Sequence, residues 1–191
     1  MFYRFDGKQP IIGSETYVSE TASVIGDVRI GSNCYIGHGV ILRGDYGTID
    51  IGDETSVEEG VVVHAPPGEF CSIGHNVVIG HGAIVHAKTV GNRAGIGMGA
   101  ILSVWSEIGH GSIVAEGSVV KRYQKILPEI IVAGNPAKKI RDVSKKERDF
   151  WDWTNRLYID LAGKYCEIGM ERVELDKVLC NRRPDVLGGQ N

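Results

Sequence analysis

The chain has 191 residues, 42% of them apolar, enough for one ordinary domain with a continuous core and no disulfide support. A formal charge of −3 with acids and bases interspersed gives no basic stripe, so the expected partner is a small-molecule substrate, with no nucleic acid and no membrane. No run reaches the roughly 20 apolar residues of a membrane span, and the opening MFYRFDGKQP lacks a signal peptide's apolar stretch, so a cytoplasmic location is expected. Cys34, Cys71, Cys166 and Cys180 show no CxxC spacing and read as small thiols rather than as a disulfide framework or a thiolate metal site.

Glycine is the outlier, with 26 residues against 6 prolines, most of them between residues 26 and 117. Aliphatic residues preceding a small or polar residue form the series Ile30, Ile36, Leu42; Ile51, Val57, Val63; Ile73, Ile79, Val85; Val90, Ile96, Leu102; Ile108, Val114, Val120. The step is six, broken by extra residues near Asp45-Tyr46-Gly47 and within Ala65 to Phe70, and by one missing residue between Val85 and Val90. Six suits neither a helix of period about 3.6 nor a hairpin array; it is the hexapeptide β-helix signature. Each hexad is a short strand with one inward aliphatic residue, and three hexads close a triangular coil stacked about 4.8 Å from the next. The expected fold is all-β, a left-handed parallel β-helix over 1–127, followed by a loop connection over 128–143.

Ser144-Lys-Lys-Glu147 is a capping box that opens a C-terminal α-helix, with a tail completing 144–191. Phe150, Trp153, Leu157, Leu161 and Tyr165 recur at three or four residues and predict the apolar stripe that packs along the β-helix. A shorter helical stretch is expected around Glu167 to Leu179. These parts are assigned to packing and trimer support.

Stacking in register places Leu42, Val63, Val85, Leu102 and Val120 on one face, and the residues after them, Arg43, His64, His86, Ser103 and Lys121, in an outward column. His64 and His86 then sit on adjacent coils, close to the separation at which two imidazoles share a metal. Zinc in a catalytic site takes three protein ligands at about 2.0–2.2 Å and keeps one open position. His81, at the corner before the His86 face, is the candidate third ligand. It points away from its own chain's pair, and a threefold assembly would bring it to a neighbour's pair in trans. The alternative is three solvated histidines, since His38, His75 and His110 occupy the same kind of corner as His81. Glu58, outward on the face before His64, is placed to orient or deprotonate a water at the metal, or else is a solvated acid. Arg43 is a second catalytic candidate, but Arg43, Asp45 and Glu59 read equally as a salt-bridge network at a trimer interface.

The stretches LRGDYG (42–47), EEGVVVH (58–64), IGHGAIVHAKTVG (79–91), IGMGA (96–100) and AGNPAKKIRDVSKKE (133–147) resemble the γ-class carbonic anhydrase family over nearly the whole chain. The resemblance is greatest to the branch found in phenylacetate and carnitine operons. It implies a homotrimer in which His64 and His86 of one subunit and His81 of the next bind zinc, with iron or cobalt as alternatives, and in which Arg43 and Asp45 lock the trimer. Glu59 stands where the family commonly has aspartate. The family often reads Asn-x-Gln-Asp before its first metal histidine, whereas this chain reads Ser56-Val57-Glu58-Glu59. The implied activity is reversible hydration of CO2 to bicarbonate; the alternatives are metal-dependent acyl-CoA thioester cleavage and a non-catalytic metal-binding scaffold.

Overall fold

The computed structural model describes residues 1–174. It is a left-handed parallel β-helix with one helix, α1 (Lys145–Ile168), laid along it. On the first face the strands pair in parallel with Leu42 opposite Val63, Val63 opposite Val85, Val85 opposite Leu102 and Leu102 opposite Val120. The second face stacks Ile36, Val57, Ile79, Ile96, Val114 and Val132, and the third stacks Ile30, Ile51, Ile73, Val90, Ile108 and Ile126. All these side chains point inward and are buried. Each contributes on the order of 1.5–3 kcal/mol of burial, so the core is a column of interlocked aliphatics rather than a single cluster.

The repeat runs further than the aliphatic series suggested. Ile12, Val18 and Val24 begin it one coil earlier. At the other end Ile130–Ala133, expected within a loop, is a strand stacked on Ile113–Val114, and Lys138–Asp142 folds back antiparallel against it. Ile130 and Val132 supply the inward aliphatics, so the β-helix passes the expected boundary at 127 and the 128–143 connection is a hairpin. The three extra residues around Tyr46 are absorbed within one long strand, Ile41–Ile51, that turns a corner without breaking.

Helix α1 starts on the predicted capping box: Ser144 Oγ accepts from the Glu147 backbone N–H while the Glu147 carboxylate accepts from the Ser144 N–H. It runs unbroken to Ile168 and ends at Gly169, whose φ of 73° leaves the helical region. Glu167 and Ile168 therefore belong to α1, residues 169–174 are not helical, and the rest of the expected second stretch, through Leu179, lies outside the described residues.

The stripe that docks is only in part the predicted one: Tyr165 packs on the β-helix as expected. Phe150, Trp153 and Leu157 are exposed, and the face turned to the β-helix carries Trp151, Asn155, Tyr158, Ala162 and Tyr165. The surface beneath explains the choice. Tyr17 stacks on Tyr165 and Tyr35 packs against the tilted Tyr158 ring, and Gly95 leaves a space filled by the Trp151 ring, which would lie 2.6 Å from a Cβ there. Among the described residues no helix is long and apolar enough to cross a membrane.

Candidate metal centre

Two polar clusters lie on either side of one corner of the prism. The first is on the open first face. Arg43 pairs in register with His64, and the His64 and His86 rings lie 4.6 Å apart between centroids. Arg43 Nη1 donates to Asp45 Oδ2 at 2.7 Å. Asp45 Oδ1 is 3.4 Å from His64 Nε2, a charge contact without hydrogen-bond geometry. Burial opposes the Asp45 carboxylate most strongly of any single influence, but the hydrogen bond and charge of Arg43 together with backbone hydrogen bonds hold the carboxyl below its ordinary range.

His64 Nε2 and His86 Nε2 are buried and have no hydrogen-bond partner. Burial, reinforced for His64 by Arg43 and for His86 by His64 and then Arg43, pushes both imidazoles below their ordinary pKa, at His64 against the opposing pull of Asp45. Both rings are therefore neutral near pH 7. A buried polar atom left unpaired costs about 1–3 kcal/mol, and two neighbouring ones are a pair of donors suited to a borderline-soft cation.

The second cluster surrounds His81, whose corner turns through Gly82 at φ 67°. Its Nδ1 is 2.7 Å from Glu59 Oε2, and its Nε2 is 3.1 Å from Glu58 Oε2 and 3.4 Å from the Tyr158 hydroxyl of α1. Glu58 Oε2 also accepts from the His81 backbone N–H at 3.1 Å. Glu58 is not a solvated acid: α1 covers it and leaves it 4% exposed. Burial raises its carboxyl above the ordinary range against the pull of His81. Burial is the largest single influence on Glu59 and opposes its charge, yet the Tyr35 hydrogen bond, a backbone hydrogen bond and His81 together bring it below the ordinary range.

Arg43, Asp45, His64 and His86 thus form one group, and His81, Glu58 and Glu59 another. Within the single chain, and among the described residues, no three His, Cys, Asp or Glu side chains converge to hold a metal. Glu58 accompanies His81 rather than the His64 pair, and Glu59 contacts His81 rather than Arg43 or Asp45.

Tyr35 and Tyr158 were missed in the sequence, where the helix was assigned to packing. Burial comes first, with Glu59 at Tyr35 and Glu58 at Tyr158 next, in pushing both phenols above their ordinary pKa, so both stay protonated. The available signal was the position of Tyr35 and Ser56 one residue before inward Ile36 and Val57, facing whatever packs on the second face.

Known proteins share this arrangement of coils. The family pattern described as "Bacterial transferase hexapeptide (six repeats)" matches residues 9–44. The carnitine operon protein CaiE of Escherichia coli K12 is 32% identical over 187 residues, covering 98% of this chain and 95% of its own. The mitochondrial γ carbonic anhydrase 2 of Arabidopsis thaliana is 33% identical over 181 residues, covering 90% of this chain, which spans 65% of the plant protein. The crystal structure of a hexapeptide transferase family protein from Anaplasma phagocytophilum superposes with a TM-score of 0.80 at 33% identity, covering 86% of this chain and 98% of that one. The chain belongs to the hexapeptide-repeat family, in the branch of the γ-class carbonic anhydrases and the carnitine operon protein.

Proposed function

We propose that three copies of this chain assemble about a threefold axis and hold a divalent metal, zinc first and iron or cobalt as alternatives, at each interface, where the site hydrates CO2 reversibly to bicarbonate. The observation that carries this reading is the adjacent, buried and unpartnered pair of Nε2 atoms on His64 and His86. Two ligands are one short of an open catalytic site, and His81 of the neighbouring copy completes it. An aliphatic column supports the neighbour: Ile41, Val62, Ile84, Ile101 and Val119 stack outward beside the histidines. Ile41, Ile84 and Ile101 are 38%, 46% and 37% exposed in the single chain. Apolar surface in a continuous row is more stable covered than wet, and a head-to-tail contact of this kind closes into a ring.

A bound zinc ion would supply Lewis acidity, bringing the pKa of the water it holds to about 7. The chain does the rest. His64 and His86 offer lone pairs because burial keeps them neutral, and Asp45 holds the Arg43 guanidinium beside them. Glu58 arrives with His81, and its Oε2 accepts the proton that water releases as its oxygen bonds to the carbon of CO2. The products are bicarbonate and one proton, which Glu58 returns to buffer. Its raised carboxyl suits the task, since a base works best with a pKa near the operating pH.

Stopped-flow CO2 hydration by metal-reconstituted protein, purified without oxygen, tests the activity; no rate above buffer with metal verified would reject it. A second reading, hydrolysis of an acyl-CoA thioester, is favoured by a groove of about 200 Å3 where Ile96, Met98, Phe150 and Trp151 adjoin Glu58 and His81, an apolar lining suited to an acyl chain. An acyl-CoA panel with His86→Ala as control separates the two, and equal rates in both proteins reject the second. Metal and trimer with neither activity leave a binding scaffold.

A further inference from the structure

We propose that Tyr35 is a positioning residue that acts through Glu59 to decide which nitrogen of His81 is free to ligate a metal; this rests on reading His81 as a ligand. A neutral imidazole carries one N–H and one lone pair, and whatever the first nitrogen bonds to determines where the second points its lone pair. A carboxylate can only accept. Two carboxylates flank the ring, Glu59 Oε2 at 2.7 Å from Nδ1 and Glu58 Oε2 at 3.1 Å from Nε2; the shorter contact assigns a neutral ring's proton to Nδ1 and its lone pair to Nε2, the nitrogen for which Glu58 competes. Carboxylates behind metal-ligating histidines commonly do this, fixing tautomer and ring orientation together.

Glu59 can serve only if it is itself held. Its side chain is long and its residue partly exposed, so an unrestrained carboxylate would rotate away. The Tyr35 hydroxyl donates to Glu59 Oε1 at 2.6 Å, which leaves Oε2 facing the imidazole. Tyr35 is in turn immobile. It is 2% exposed, with the Tyr17 ring 5.6 Å away on one side and the Tyr158 and Tyr165 rings of α1 at 5.1 and 6.2 Å. Gly37 supplies a second, independent mark of the arrangement. A Cβ there would lie 2.7 Å from Glu59 Oε1 and 3.1 Å from the Tyr35 ring, so a side chain at residue 37 would press on both partners of the hydrogen bond. Helix docking, an aromatic stack, one hydroxyl and one carboxylate form a line that ends on His81.

The test uses the full chain. Long-range 1H–15N spectra of the metal-free protein report the His81 tautomer directly, and Zn2+ competition against a chromophoric chelator reports affinity. Tyr35→Phe keeps the ring and removes the hydroxyl. It is expected to mix the His81 tautomers and to weaken Zn2+ binding about 10- to 100-fold, the usual cost of losing such a partner. Glu59→Gln, whose amide can donate to Nδ1, is expected to move the proton to Nε2 and weaken binding at least as much. Wild-type tautomer and affinity in Tyr35→Phe would overturn the proposal. Should wild-type protein bind no Zn2+, the ligand reading fails, while the tautomers of the two variants still decide whether Tyr35 and Glu59 control the ring.

Discussion

The His64 and His86 imidazoles sit 4.6 Å apart between centroids, on adjacent coils locked by the pairing of Val63 with Val85. The strand ladder sets the two residues on which the rings stand at adjacent places in one column. Replacing either histidine with alanine is expected to reduce bound metal to background while leaving the β-helix folded, because both side chains point outward from the core. Elemental analysis beside circular dichroism checks this, and retained metal in both variants would contradict the assignment. Light scattering on the same samples should show weaker trimers, since each ion joins two chains. A metal-loaded monomer would rule out ligation in trans.

Acid should act on the same pair. Burial lowers both imidazoles below their ordinary value of 6.5, so the unfolded chain binds protons there before the folded one does. Stability is then full above about pH 6.5 and falls as pH drops through that value toward the folded pKa values. In the metal-free protein, NMR titration should give midpoints below 6.5 for His64 and His86. Midpoints above it would contradict burial as the dominant influence on the two rings.

Tyr158→Phe isolates one hydroxyl of α1. The hydrogen bond from Tyr158 holds the Glu58 carboxyl down against burial, so its removal raises that carboxyl further. For an active enzyme the acid limb of the pH–rate profile should move to higher pH, with a loss of about 0.5–1.5 kcal/mol in stability for the missing hydrogen bond. An unmoved limb would show that Glu58 is not the base.

Gly95→Ala probes how the helix is seated. The new Cβ meets the Trp151 ring at 2.6 Å, and overpacking of this kind costs about 1–3 kcal/mol. A denaturant melt identical to wild type would show that Trp151 can move aside cheaply.

Much of this was legible in the sequence because a hexapeptide coil has so few choices. One inward aliphatic per strand fixes the period, so the inserted residues could be counted and His64 aligned with His86 before any coordinates. The helix was harder. Its most apolar arc, Phe150, Trp153 and Leu157, faces outward, while a mixed arc of Trp151, Asn155, Tyr158 and Ala162 docks. Local periodicity measures apolarity and knows nothing of the glycine gap and tyrosine rings that await the helix. Glu58 was misplaced for the same reason: it faces outward from its coil, and only the distant α1 buries it. At His81, Glu59 stacks one coil away just as His64 does on His86, so that contact was within reach of the register; the Tyr158 hydroxyl, brought in by the distant helix, was not.

In the proposed trimer the two halves of the centre lie on different sides of one corner, which would give that assembly a genetic property. A chain lacking His64 still offers a sound corner, and a chain lacking His81 still offers a sound face. Neither forms a site alone. Mixed freely in one cell, they co-assemble so that each interface has an independent chance of drawing its face from one allele and its corner from the other, restoring about a quarter of the sites in a ring with heterologous contacts. Two null alleles should thus complement each other, whereas alleles lacking His64 and His86 should not, because both defects fall on the same face.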